Sequence, residues 1–296
     1  MQKKKLMLIF NPAAGKGEGL VNLGPILQVL SNGGYLPTVF CTTGAGDATR
    51  LVKEYCSEYD CVTCIGGDGT LSETVAGLAQ IDDPPLLGYI PQGTANDVAT
   101  TLNLSHIPVA AAKTIVSGSP VNLDVGRFNK NDYFTYIAAF GAFTDVSYET
   151  PRESKNTLGH FAYVLNAMGK LSRLTYHNVK VEYDNGKIED QFVFGSVSNS
   201  TSVAGFVKLT DNGVELDDGL FEVILIKRPA NVIEMNQIVS AVLARNYSGN
   251  KVIMLRSKNV KFSFHRPVKW TRDGEAGGTH KEVLCENIHS PIRIMT

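Results

Sequence analysis

The sequence predicts an α/β unit followed by a β-rich one. Three observations carry that prediction. Short apolar runs alternate with helical stretches through roughly the first 125 residues, period-two alternation dominates much of the remainder, and an Asn-Gly turn joins two alternating segments. Strands alternating with helices at close spacing build a parallel, helix-covered sheet. Alternating strands joined by tight turns build antiparallel sheet with one face on a core.

The elements follow in order. Leu6–Phe10 reads as strand, Leu20–Ser31 as helix, Thr38–Cys41 as strand and Ala45–Tyr55 as helix. Cys61–Ile65 is strand-like, Leu71–Ala79 helical, Leu86–Ile90 strand-like and Val98–Leu102 helical. At Val121–Val125 the pattern changes. Val179–Tyr183 sets apolar and charged residues on opposite faces, Asp184-Asn-Gly-Lys187 is a hairpin turn, and Val260–Phe264 alternates in the same way. Helical insertions are predicted at roughly 158–171 and 232–244, and the domain boundary near Val125–Asn129, giving domains 1–125 and 126–296.

Composition narrows the class. With 43% hydrophobic and 19% charged residues the chain has material for a core and no sign of bulk disorder. Twenty-eight Lys and Arg against 29 Asp and Glu argue against a broadly basic nucleic-acid binder. Lys3-Lys-Lys5 precedes a short strand rather than a signal-peptide core, and no apolar run approaches the roughly 20 residues that span a bilayer. The expectation is a cytoplasmic protein without a transmembrane segment. Five cysteines form no framework; Cys61 and Cys64 lie three apart in a strand, where side chains point to opposite faces, so they are expected as buried thiols.

The chemistry concentrates in loops. Gly66-Gly-Asp-Gly-Thr70 leaves a predicted strand and enters a predicted helix, where glycines let backbone approach phosphate oxygens and a helix N-terminus offers free N–H groups. Asp68 would repel phosphate, so it points to a divalent cation or a catalytic task. Pro91-Gln-Gly-Thr-Ala-Asn-Asp97 repeats the design; Asn96 and Asp97 alone would read as a helix cap. Two such units in one parallel sheet place Asp68 and Asp97 at the carboxyl ends of strands, where open α/β sheets bind ligands. Asn11-Pro12-Ala13-Ala14-Gly15 also follows a strand and precedes a helix, but Gly15-Lys-Gly is not a Walker A loop. Asp273-Gly-Glu275 stands near the other end, with an ordinary turn as its plain alternative.

These four motifs, in this order and spacing, resemble the diacylglycerol kinase catalytic family, and within it the soluble bacterial lipid kinases, over nearly the whole chain. The resemblance implies a first domain like those of phosphofructokinase and NAD kinase, a second domain that is an antiparallel β-sandwich supplying the catalytic base, and an active site in the cleft between them. It implies ATP and Mg²⁺ as cofactors, with nucleotide contacts from Asn11, Pro12, Ala13, Ala14, Gly15, Thr42, Gly66, Gly67, Asp68, Gly69, Thr70, Leu71, Ser72 and Thr94. Asp68 and Asp97 would organise the catalytic magnesium, and Glu275 would take the proton of the lipid hydroxyl. In related enzymes the stretch matching Glu215-Leu-Asp-Asp-Gly-Leu220 forms a second magnesium site. By position, Asp218 would give its side chain, Glu215 and Leu220 their carbonyls, and Asp124 a water link to Asp97.

The acceptor implied first is diacylglycerol, giving phosphatidic acid; phosphatidylglycerol, a sphingoid base or NAD are the rivals, and a non-catalytic regulator is the rival outside enzymes. The lipid would be met peripherally at the inner face of the membrane, and a homodimer stays open. Tyr136–Phe143 and Phe161–Leu165 can line an acyl groove or fill a core, and Trp270 can touch lipid or pack.

Overall fold

The computed structural model describes residues 3–17, 19–142, 175–199, 202–203, 207–208, 217–243, 247 and 249–296. The chain divides into two compact units, 1–125 with 289–296, and 126–288. The last eight residues therefore belong with the first unit rather than with a domain running from 126 to 296.

The first unit contains β1 (Lys4–Phe10), α1 (Gly19–Asn32), β2 (Tyr35–Cys41), α2 (Asp47–Tyr55), β3 (Cys61–Gly66), α3 (Asp68–Leu78), β4 (Leu86–Pro91), α4 (Asp97–Thr101) and α5 (Pro108–Ser117). Its strands lie in the order β2–β1–β3–β4, all parallel, and Ile294 pairs in parallel with Leu87 beyond β4. Leu6 to Phe10 are all fully buried, which is why β1 reads as a continuous apolar run: helices cover both faces. Leu6, Leu8 and Phe10 pack with Ile26 and Leu30 of α1 and with Ala111, Ala112 and Ile115 of α5. On another flank α2 buries Ala48, Leu51 and Val52. There α3 approaches so closely that a Cβ on Gly77 would lie 2.7 Å from Val52 Cβ.

The strand order has a functional consequence. The chain leaves β1 toward β2 and leaves β3 toward β4, so the connections part between β1 and β3 and open a crevice at their carboxyl ends. Cys61 and Cys64 are fully buried in β3, and burial pushes their thiols up to about 11 and about 12.

β5 (Pro120–Phe128) carries the chain into the second unit. There follow β6 (Asp132–Phe134), β7 (Ile137–Gly141), β8 (His177–Tyr183), β9 (Gly186–Ser198), the short pair β10 (Ser202–Val203) and β11 (Val207–Lys208), β12 (Phe221–Lys227), α6 (Val232–Leu243), β13 (Val252–Ser257), β14 (Asn259–Arg272) and β15 (Glu275–Met295). The predicted helix near 158–171 lies outside the described residues. Antiparallel neighbours run β13–β12–β9–β7–β14–β15, with β8 against both β9 and β14. The two long strands serve both layers of a β-sandwich. β14 pairs β8 over Val260–Phe264 and β7 over Trp270–Arg272, and its register against β15 shifts between Ser263 and Val268. Such a bulge bends a strand.

Alternation sorts the side chains. Ala138 and Phe140 enter an aromatic core with Phe128, Phe262 and Trp270, while Ile137 and Ala139 face a second cluster with Ile224, Ile226 and Ile238 of α6. Trp270 is fully buried, its ring 5.0 Å from that of Phe140 and 5.2 Å from that of Phe262. It packs. The strand Ile137–Phe140 is likewise core, whereas Phe143 and Phe161–Leu165 lie outside the described residues.

Candidate active site

The carboxyl ends of β1–β4 bring the predicted nucleotide loops together. Parallel pairing extends past the strands: Asn11 N donates to Ile65 O, Thr42 N to Phe10 O and Gln92 N to Gly66 O, at 3.1, 2.9 and 2.8 Å. Side chains then tie loop to loop. Asn11 Nδ2 donates to Thr70 Oγ1 at 3.0 Å, and Asn11 Oδ1 accepts from Ala13 N at 3.0 Å, shaping the turn through Pro12 and Ala14. Gly15 has φ 61°, and a Cβ there would lie 2.6 Å from Gln92 O.

The glycines of the second and third loops are in contact. A Cβ on Gly93 would stand 2.6 Å from Gly67 Cα and 2.7 Å from Asn96 Oδ1. Only a residue without a side chain allows that approach. Asn96 takes the left-handed conformation, φ 52°, at the start of α4. Its amide does not cap the helix: Oδ1 accepts from Gly93 N and Nδ2 donates to Gly93 O, both at 2.8 Å. It clamps the turn that presents Thr94.

Asp68 and Asp97 open α3 and α4 respectively. Asp68 Oδ1 lies 3.5 Å from Val98 N, so the first carboxylate reaches the first turn of the second helix. Both acids act on Tyr89, whose hydroxyl stands 3.3 Å from Asn96 Oδ1. Burial first, then the charges of Asp68, Cys64 and Asp97, hold that phenol protonated far above its usual range. Two half-buried carboxylates thus share one corner with an obligate hydroxyl beneath them. Leu71 is buried in α3 and Ser72 half-buried beside it.

Two participants escaped the sequence reading. Glu73 of α3 accepts from Gly46 N at 2.8 Å and Ala48 N at 3.2 Å, capping α2 from another helix. Gln92 is 9% exposed, yet neither its amide oxygen nor its nitrogen has a hydrogen-bond partner among the described residues. Orphaned buried amides are rare and call for a water or a ligand. Neither residue carries a sequence signal beyond its place in a loop or on a helix face.

These residues fit a nucleotide triphosphate with magnesium: glycine backbone at close approach, helix N-termini, an unsatisfied amide and two carboxylates. Among the described residues no three His, Cys, Asp or Glu side chains cluster as a metal site. Magnesium typically uses one or two carboxylates together with phosphate oxygens.

Asp124, fully buried, lies 3.0 Å through Oδ1 from His289 Nδ1, so the returning terminal segment reaches it. In the second unit, Asp273 and Gly274 have φ 46° and 81° and form the two-residue turn between β14 and β15, with Arg272 opposite Glu275. Both being left-handed is the type I′ signature. Asp273 is buried, and its carboxylate accepts from Thr135 N, Tyr136 N and Ile137 N at 2.7, 3.0 and 3.0 Å. Its own N–H donates to Ile137 O at 2.8 Å. The motif's first acid is therefore an anchor, and it leaves Glu275 exposed at the head of β15.

The second predicted magnesium site fits less well. Glu215 lies outside the described residues. Asp218 Oδ1 accepts from Leu220 N at 2.9 Å, and its Oδ2 is paired with Arg256. Arg256 stands opposite Glu222 in the ladder, Nε 3.2 Å from Oε1. Glu222 is 1% exposed; burial pushes its carboxyl up to about 7, with Arg256 pulling it down and Asp218 pushing it up. A divalent cation at Asp218 would have to displace the guanidinium.

Comparison with known proteins agrees with this geometry. Residues 5–128 match the diacylglycerol kinase catalytic domain, and residues 141–288 match the YegS C-terminal NAD kinase beta sandwich-like domain. The chain belongs to the diacylglycerol kinase family. It is a lipid kinase, a transferase with an α/β domain and a β-sandwich domain. It is 34% identical over 278 residues to the diacylglycerol kinase of Bacillus subtilis strain 168, covering 93% of this chain and 91% of the relative. The diacylglycerol kinase of Staphylococcus aureus strain MRSA252 is 33% identical over the same length, 93% and 87% of the two chains. A crystal structure from Bacillus anthracis str. Sterne, of a protein proposed as a diacylglycerol kinase, superposes on this lipid kinase with TM-score 0.83 at 26% identity, covering 100% and 96% of the two chains. Among the described residues, no helix is long and apolar enough to cross a membrane.

Proposed function

We propose that this lipid kinase transfers the γ-phosphoryl group of ATP to the free hydroxyl of diacylglycerol, giving phosphatidic acid and ADP. The observation that carries the reading is the meeting of the Gly67 and Gly93 backbones beside Asp68 and Asp97. Relatives bearing the diacylglycerol kinase name over most of their length support the acceptor.

Phosphoryl transfer asks a protein for position and electrostatics more than for covalent chemistry. The loops 11–15, 66–72 and 92–94 bind and orient the triphosphate, with Gln92 and the first amides of α3 as donors and Thr42 beside them. Asp68 and Asp97 would hold a magnesium ion, which when bound would neutralise charge on the transferred group. Glu275 accepts the hydroxyl proton as the lipid oxygen bonds to the γ-phosphorus and the bond to the ADP oxygen breaks. Asp273 positions Glu275 by fixing the turn that carries it. The acceptor stays in its bilayer, and the enzyme meets it peripherally from the cytoplasmic side.

The test is transfer of labelled phosphate from ATP to a panel of diacylglycerol, phosphatidylglycerol, a sphingoid base and NAD, resolved by thin-layer chromatography. Label in phosphatidic acid is expected; label in another acceptor instead would overturn the choice of lipid. Glu275→Gln in the same assay should lower turnover by about 10²–10⁴-fold, the range for a lost general base. ATP binding should stay intact. Wild-type turnover in that variant would remove Glu275 from the chemistry.

A further inference from the structure

A corner of the second unit combines cations with exposed apolar side chains. A cleft of about 430 Å³ is lined by Asp190, Gln191, Lys227, Arg228, Asn250 and Lys251, among others. Lys227 Nζ pairs with Asp190 Oδ2 at 2.7 Å and Lys251 Nζ with Glu234 Oε2 at 2.9 Å. Arg228 instead donates to Gln191 Oε1 at 3.1 Å and lays its guanidinium 3.8 Å above the Tyr176 ring. Among the described residues in these contacts, three cations thus stand against two carboxylates. Both ion pairs are partly exposed, which makes them weak and open to competition by an incoming anion.

The next residues along the chain are apolar and turned outward. Val232 is 54% exposed and Ile233 70%, in the first turn of α6, and Tyr176 is 40% exposed. The loop that presents them is held from several sides. Lys227 N donates to Lys251 O and Arg228 N to Gln191 O, while Ala230 N donates to Glu234 Oε2 and Glu234 N to Asn231 Oδ1. That reciprocal cap fixes where α6 begins. Rigid backbone is therefore aiming two bare aliphatic side chains away from both cores, beside a surplus positive charge and a ring.

We infer that this corner, Arg228 with Val232, Ile233 and Tyr176, is the surface by which the enzyme docks on an anionic bilayer. A soluble anion would satisfy Arg228 but leave Val232 and Ile233 in water. A purely apolar partner would leave the cations unmatched. A membrane surface supplies both: acidic headgroups for the cations, an interfacial layer suited to aromatic rings, and acyl chains a few ångströms below for aliphatic tips. The inference rests on the lipid-acceptor reading only in that an enzyme whose acceptor stays in a bilayer gains from docking there.

The test is co-sedimentation of the full chain with vesicles of phosphatidylcholine, with and without phosphatidylglycerol. Wild type should bind the mixed vesicles and bind neutral ones far less. Arg228→Gln should weaken binding to mixed vesicles about fivefold, the loss of one cation at an acidic surface, with the difference fading in high salt. Ile233→Ser should weaken it about tenfold and Ile233→Leu should restore it, since the aliphatic tip is what enters the interface. Both polar variants should keep the wild-type melting midpoint and wild-type turnover of a short-chain, water-dispersed acceptor. Equal sedimentation of wild type and both variants would overturn the proposal. So would a wild-type dimer, seen by light scattering, that Ile233→Ser dissociates, because the face would then join two copies of the chain. Failure to phosphorylate diacylglycerol in any form would strike the acceptor reading and leave the binding result standing.

Discussion

Asp68-Gly69 in the first unit and Asp273-Gly274 in the second are the same dipeptide put to opposite uses. Asp68 begins a helix, stays half-buried, and reaches across to the first turn of α4, its Oδ1 3.5 Å from Val98 N. Asp273 is buried, left-handed, and saturated by three backbone donors. A half-buried carboxylate in the first turn of a helix stands where solvent and a ligand can reach it. A carboxylate whose oxygens accept three backbone amides is architecture, although Glu275, the proposed base, stands two residues away.

That contrast can be broken by substitution. Asp68→Asn should lower kcat by about 10²–10³-fold, the scale of a lost preorganised electrostatic contact, and raise the magnesium needed for half-maximal rate, while leaving the thermal midpoint unmoved. A large fall in midpoint would make Asp68 a structural residue like its counterpart. Asp273→Ala should do the reverse. Three donors lose their acceptor, and even with water entering, the loss should be about 2–4 kcal/mol of stability, read by denaturant unfolding. Unchanged stability with lost turnover would instead make Asp273 a participant in the reaction.

A further acid sharpens the comparison: Glu222 is buried beside the Arg256 guanidinium. Its folded pKa of about 7 exceeds the ordinary 4.5, so the unfolded chain gives up this proton first as pH rises. Stability should therefore fall as pH climbs from about 4.5 to about 7 and level off above, by at most about 3 kcal/mol. Glu222→Gln should flatten that slope in melts taken across the range. A slope that persists in the variant would assign it to other groups.

The sequence carried the architecture where physics is local. Buried parallel strands must be continuous apolar runs, so Leu6–Phe10, Cys61–Ile65 and Leu86–Ile90 were legible. The hairpin between β8 and β9 falls where expected, but its two loop residues are Asp184 and Asn185, Gly186 already pairs with Tyr183, and neither Asn185 nor Gly186 takes the positive φ expected of an Asn-Gly turn. Helix α5 was not read: Pro108 at its first position and a run of alanines gave little periodicity to set it apart from a loop. What could not be read was partnership across distance. Glu73 caps a helix more than twenty residues away, Arg256 faces Glu222 through strand register, and Asp273 grips residues 135–137. Each looks ordinary in its own neighbourhood. The candidate loops were visible because glycines and acids crowd together in sequence; the clamp of Asn96 on Gly93 and the orphaned Gln92 amide became visible only with coordinates.

The return of residues 289–296 to the first unit bears on how the chain is made. Ile294 lies beside Leu87, Ser119 and Thr296 exchange two backbone hydrogen bonds of 3.0 Å, and His289 reaches the buried Asp124. A ribosome synthesises every residue of the second unit before it reaches those eight. The first unit, begun first, is thus completed only after the second has been made, and during translation its β4 edge waits for residues 289–296 to emerge.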